Sequence, residues 1–183
     1  MSYQLSKIKV LVVEDNKPML ELTKSILKSF GIGNVITALN GEDGFREFCA
    51  TNPDLVIVDW MMEPMDGISM CRHIRNSDRS PNQYVPVILM TGFSEKKRVL
   101  LARDAGITEF LVKPFNVRGL YKRIFQIIEK PRQFVRCENF FGPDRRRRKK
   151  EDDYQGPFRR KTDVKKYKAS SKAKTPIDEI DFR

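Results

Sequence analysis

Five short apolar runs, each followed by a stretch with helical spacing, limit what this chain can fold into more than any other feature. The runs are residues 8–13 (IKVLVV), 34–39 (NVITAL), 54–58 (DLVIV), 85–90 (VPVILM) and 109–112 (EFLV). They are rich in β-branched residues, nearly continuous in apolar character and too short for helices. That is the pattern of strands buried on both faces. After the first run, Met19, Leu22, Ile26, Leu27 and Phe30 recur at helical spacing, with Pro18 where a helix begins and Gly31 and Gly33 where it stops. Further helices are predicted over 41–50, 68–76, 94–106 and 116–130. Ser94 and Asn116 serve as N-cap candidates, and Gly106 and Pro131 as terminators. Strands alternating with helices in this way predict an α/β fold: a doubly wound, five-stranded parallel sheet with right-handed crossovers and helices on both faces.

Ligands of such sheets bind beyond the carboxyl ends of the strands. Glu14 and Asp15 follow the first strand, Asp59 the third, Thr91 the fourth and Lys113 the fifth. Parallel strands bring these ends to one edge. Two carboxylates ~4 Å apart repel by about 4 kcal/mol at an effective dielectric near 20, so clustered acids call for a cation. An all-oxygen donor set favours a hard ion such as Mg²⁺, which keeps waters that a phosphate can displace. Thr91 and Lys113 would then meet phosphoryl oxygens, and Asp59 is the candidate nucleophile, since carboxylates form aspartyl-phosphates. The metal and the lysine would stabilise charge on the transferring group. Taken singly, each acid reads equally well as a helix cap or turn former. Only the set, one group per strand end, points to chemistry.

The segments VVED (12–15), VDWMMEPMDG (58–67), MTG (90–92) and FLVKPF (110–115) give the chain a likeness to a known family. Over residues 8–130 it resembles a response-regulator receiver domain of the two-component signalling systems. The resemblance implies a flavodoxin-like strand order of 2-1-3-4-5 and a phosphoryl group accepted on Asp59. Glu14, Asp15, Asp59 and the backbone carbonyl of Met61 are implied as Mg²⁺ ligands, and Thr91 and Lys113 as the residues that sense the phosphoryl group. Phe110 falls at the switch aromatic position. The implied phosphodonor is a histidine kinase or phosphotransfer protein. The implied output is a change in the face made by helix 4, strand 5 and helix 5, where an unidentified target protein binds. Thr91 would move toward the new charge, leaving space for Phe110 to turn inward.

The sequence departs from that pattern in places. The family often has proline four residues after the acceptor; here that position is Glu63, and Pro64 follows. Glu63 reads as turn polarity facing solvent, the alternative being a fourth acid in the metal pocket. Asp66, before Gly67, reads as the turn that launches helix 3. Met61 and Phe93 flank the pocket without a group that orients water, which implies a long-lived aspartyl-phosphate. His73, on helix 3 between Arg72 and Arg75, reads as an ordinary surface histidine.

Charge divides the chain. The formal net charge is +11, of which residues 1–130 hold +3 and residues 131–183 hold +8. Residues 1–130 are read as the receiver domain and 131–141 as a connecting segment apolar enough to pack back on it. Residues 142–183 are read as a basic, mostly disordered tail with too little apolar matter for a core, and too short for a winged-helix DNA-binding domain. Gly-Pro-x-Arg-Arg occurs twice in the tail, 14 residues apart, starting at Gly142 and Gly156, each copy with an aromatic upstream. Arginine forks bind guanine or stack on a base. Arg145, Arg146, Arg159 and Arg160 are therefore candidate ligands for cyclic di-GMP or nucleic acid, loosely similar to the arginine-rich tails of receiver-like cyclic di-GMP effectors. The plainer reading is a solvated basic tail that meets anions without specificity.

Three cysteines and one histidine, none at metal-ligand spacing, argue against zinc and for a reducing compartment. No signal peptide opens the chain and no apolar run approaches the ~20 residues of a membrane span, so a soluble cytoplasmic protein is expected. Three roles fit these residues: a stand-alone phospho-receiver acting through a partner, a receiver-controlled nucleotide or nucleic-acid effector, and a phosphate sink.

Overall fold

A computed structural model describes residues 5–92, 96–137 and 140–144. Strands β1 (Lys9–Val13), β2 (Asn34–Ala38), β3 (Leu55–Asp59), β4 (Val87–Thr91) and β5 (Glu109–Val112) alternate with helices α1 (Lys17–Ser29), α2 (Gly41–Thr51), α3 (Gly67–Asn76), α4 (Lys96–Asp104) and α5 (Val117–Glu129). The sheet order is β2-β1-β3-β4-β5, and every pairing is parallel. This is the doubly wound, flavodoxin-like arrangement expected from the sequence. β4 begins at Val87 rather than at residue 85, one residue past Pro86, which has no N–H to give a ladder.

Period-two alternation divides the strand residues between two cores. Leu11, Val13, Val56, Val58, Val87 and Leu89 face α2, α3 and α4, together with Phe45, Phe48, Met70, Ile74 and Ala102. Val10, Val12, Leu55, Ile57, Ile88 and Met90 face α1 and α5, together with Leu20, Leu27, Leu120 and Ile124. Because both faces are covered, neither set shows as polar in the sequence. Side chains cap the helices: Asn16, Asn40, Asp66 and Asn116 each accept a backbone N–H from the residue three positions on. Gly31 and Gly106 take the positive φ that stops α1 and α4. The Ser94 cap candidate lies outside the described residues.

The connecting segment contributes a further element. β6 (Phe134–Cys137) and β7 (Phe140–Pro143) form an antiparallel pair, closed at its open end by Asp144 N–H donating to the Gln133 carbonyl at 2.7 Å. The boundary at residue 141 read from the sequence therefore cuts through a strand, since Gly142 and Pro143 are buried with Phe141. Tyr84, Phe134 and Phe141 make a triangle of rings with centroids 5.2 to 5.7 Å apart. Arg75, on α3, is 1% exposed and lies 5.0 Å from the Phe134 centroid. Its guanidinium donates to the Gly106 carbonyl through Nε and Nη2 and to the Gln83 carbonyl through Nη1. A Cβ on Gly142 would fall 2.8 Å from Gly106 Cα, so glycine at 142 lets the hairpin lie against the α4–β5 loop. Farther along, Arg132 and Arg123 reach the buried Glu109 at 2.9 and 3.3 Å. The candidate tail residues Arg145, Arg146, Arg159 and Arg160 lie outside the described residues.

Candidate functional site

The carboxyl edge of the sheet gathers the groups expected there. Main-chain bonds set the edge: Glu14 N–H donates to Ala38 O at 3.1 Å, Trp60 N–H to Met90 O at 3.0 Å and Lys113 N–H to Thr91 O at 2.7 Å. The loop after Asp59 is folded back by Gly67 N–H on Trp60 O at 3.0 Å and Gly41 N–H on Met65 O at 3.1 Å. A Cβ on Gly67 would overlap the Asp59 carbonyl oxygen, so only glycine lets α3 start so close to the site. Sequence reading took the Asp66–Gly67 pair as a turn and did not see this approach.

Lys113 Nζ lies 2.6 Å from Glu14 Oε2 and 2.8 Å from Asp59 Oδ1, bridging the ends of β1 and β3 from β5. Glu14, Asp15 and Asp59 each offer a carboxylate oxygen, all within 4.8 Å of one another. Glu14 and Asp59 are buried and Asp15 is exposed, so the group opens to solvent on one side. Thr91 is buried at the end of β4. Phe110, half-buried, pairs with Leu89 across the β4–β5 ladder and packs against the core under α3 and α4. Met61 is 59% exposed, and Glu63, also exposed, is not among the clustered acids. His73 is exposed, as expected, with its ring 5.6 Å from Phe45. Phe93 lies outside the described residues.

Three acids face one ammonium, a surplus of negative charge that a divalent cation would neutralise. All donors are oxygens, so the residues fit Mg²⁺. Burial pushes the Glu14 carboxyl above its ordinary value of 4.5, with Asp59 adding to the rise and Lys113 opposing it. Burial pulls the Lys113 ammonium down, but its bonds to Asp59 and Glu14 outweigh that, leaving it raised. The sign for Glu14 follows directly. Its folded value lies above the unfolded one, so ionised Glu14 costs stability. The cost is absent well below pH 4.5 and grows as pH rises through the folded value. Glu14→Gln is therefore expected to raise the melting temperature of metal-free protein at neutral pH, and the gain should shrink as pH falls toward 4.5. Saturating Mg²⁺ should cancel the gain, because the variant lacks a ligand. Thermal melts with and without chelator check this; an equal gain in both would contradict it.

A family model for the response regulator receiver domain matches residues 10–125. The chain belongs to that family. The chemotaxis protein CheY of Pseudomonas aeruginosa is 29% identical over 123 residues, which cover 67% of this chain and 98% of that protein. CheY-3 of Vibrio cholerae is 28% identical over 123 residues, covering 67% of this chain and 93% of its own. Among solved structures, a two-component response regulator from Clostridium difficile aligns with a TM-score of 0.61 and 26% identity, over 68% of this chain and 98% of that one. V. cholerae chemotaxis protein CheY4 aligns with a TM-score of 0.61 and 25% identity, over 66% and 98%. Receiver domains bind Mg²⁺ in an acidic pocket and interact with histidine kinases or phosphotransfer proteins. The β6–β7 hairpin lies beyond the matched residues. No helix among the described residues is long and apolar enough to cross a membrane.

Proposed function

We propose that this receiver works as a two-component response regulator: Asp59 takes a phosphoryl group from a histidine kinase or phosphotransfer protein, and the phosphorylated form changes which partner it binds. The observation that carries this reading is the Lys113 ammonium held 2.8 Å from Asp59 and 2.6 Å from Glu14, beside three convergent carboxylates. An Asp59 carboxylate oxygen attacks phosphorus, the bond from phosphorus to the donor's imidazole nitrogen breaks, and the released imidazole takes a proton from solvent. Lys113 is placed to stay with the incoming phosphoryl oxygens as charge builds there. Glu14, Asp15, Asp59 and the Met61 carbonyl would hold Mg²⁺, which when bound supplies further positive charge beside the transferring group.

Output follows from the same geometry. The new phosphoryl group adds charge and acceptor oxygens at the end of β3. The Thr91 hydroxyl moves toward them, and Phe110, two residues back on the neighbouring β5 ladder, turns into the space left behind. Leu100 and Leu101 on α4 and Val112 on β5 are exposed, and they belong to the face whose partner affinity changes. Trp60 is the single tryptophan of the chain and follows Asp59 directly, so its emission reports both metal and phosphoryl occupancy. Thr91→Ala is expected to keep phosphorylation and the Trp60 response while losing most of the phosphorylation-dependent gain in partner binding. Phosphate incorporation and pull-down, run in parallel with a small phosphodonor, check this. Partner binding by phosphorylated Thr91→Ala at the wild-type level would contradict the proposed relay.

A further inference from the structure

The hairpin borders a second, open polar site at the opposite end of the sheet from the acidic pocket. Between β6–β7, the last turn of α3 and the α4–β5 loop lies a cavity of about 740 Å³, lined in part by Arg72, Arg75, Asp78, Arg136 and Phe140. That is the size of a small-molecule cleft. Its three arginines, Arg72, Arg75 and Arg136, outnumber its two carboxylates, Asp78 and Asp104. Among the described residues, neither Arg72 nor Arg136 has a carboxylate within ion-pair distance, and Asp78 has no cation within it. Arg75 spends three of its five N–H donors on the Gly106 and Gln83 carbonyls, so it brings mainly charge to the cavity. The Arg136 guanidinium carbon lies over the Phe141 ring, 4.5 Å from its centroid, and the group donates one bond, to Gln83 Oε1 at 3.2 Å. Its remaining donors are available to a ligand.

These groups narrow the ligand. The arginines call for a phosphate, which guanidinium forks bind bidentately. Asp78 works against a bare anion or an acidic peptide unless the ligand also brings N–H donors. The Arg136–Phe141 pair and the Phe140 ring suit a planar group. Guanine nucleotides carry all three features, since the base presents two adjacent N–H donors, at N1 and the 2-amino group, that one carboxylate can accept. We propose that this cavity binds a guanine nucleotide, with its phosphate on Arg72 and Arg136, its N1–H and 2-amino group on Asp78, and its base against Phe140. None of its lining residues belongs to the phosphorylation pocket.

Calorimetric titration of the full chain with guanosine monophosphate, in chelator so that the acidic pocket plays no part, tests this. Saturable binding at one site per chain is expected, at least about tenfold tighter than for adenosine monophosphate or inorganic phosphate. Arg72→Gln and Asp78→Asn should each weaken it by about tenfold or more. Both side chains are exposed, so unchanged denaturation midpoints should show that the variants fold. A double Arg145→Gln, Arg146→Gln variant should bind as the wild type does. No saturable binding at millimolar nucleotide, equal affinity for the two nucleotides, indifference to the cavity variants, or loss in the tail variant would each overturn the proposal.

Discussion

Replacing Arg75 with alanine is expected to destabilise the protein by about 3–5 kcal/mol and to release the β6–β7 hairpin. Three effects add. The Gly106 and Gln83 carbonyls lose their guanidinium donors, and unsatisfied buried acceptors cost roughly 1–3 kcal/mol each. The Phe134 ring loses the cation stacked 5.0 Å from its centroid. The side chain is among the largest fully buried ones, so its removal leaves a void beneath Phe134 and Phe141. Some of this is offset because burying a guanidinium costs desolvation, seen as a lowered Arg75 pKa. Arg75→Met keeps most of the volume without the donors and should lose less than the alanine variant. Denaturant midpoints give the energies, and limited proteolysis reads the hairpin. Cleavage between residues 131 and 144 should rise sharply in the alanine variant while the five-stranded sheet stays protected. A loss below about 1 kcal/mol, or no new cleavage, would mean that the hairpin docks by its aromatic rings alone.

Asp59→Asn is expected to abolish phosphoryl incorporation altogether. An amide oxygen carries no formal charge to attack phosphorus, and its nitrogen cannot replace the carboxylate as a ligand. The substitution is nearly isosteric, so the site should keep its shape. The rest of the clamp should survive in part, because Lys113 still has Glu14 at 2.6 Å. Removing one of three clustered negative charges should also raise metal-free stability and weaken Mg²⁺ binding. Phosphate incorporation from a small donor and a Trp60 fluorescence titration with Mg²⁺ measure the two effects. Incorporation in the variant at more than about 1% of the wild-type rate, equivalent to a barrier change under roughly 2.7 kcal/mol, would place the acceptor elsewhere.

The sheet and the pocket were legible for one reason. β-branched runs short enough to be strands and too apolar to be one-sided required a parallel sheet, and a parallel sheet sends all its carboxyl ends to one edge. Topology thus distinguishes Asp59 from Asp54, which lies just before the same strand. Asp54 sits at the amino end, where its carboxylate accepts the Lys9 backbone N–H at 2.9 Å and its own N–H donates to the Lys9 carbonyl at 2.8 Å. The hairpin was not legible. Its strands are four residues each, its Gly-Pro reads locally as a bend, and its docking rests on contacts more than 50 residues away in sequence, such as Arg136 with Gln83. One signal was present. Arg75 falls at i+7 from Ile68 and i+4 from Cys71, both buried, so it lies on the buried face of α3 despite its charge. A charged residue in an apolar stripe asks for partners, and here they are the Gly106 and Gln83 carbonyls and the Phe134 ring of the connecting segment. Gly67 went unseen for a similar reason, since its effect is a backbone approach to Asp59 that no side-chain pattern encodes.

The most direct test of the central claim is intact-mass spectrometry of the full chain after incubation with a small phosphodonor, with Mg²⁺ or with chelator. One phosphoryl group per chain is expected with Mg²⁺, mapping to the peptide that contains Asp59 and absent with chelator. Incorporation that is independent of the metal, or that maps to any other residue, would contradict the account.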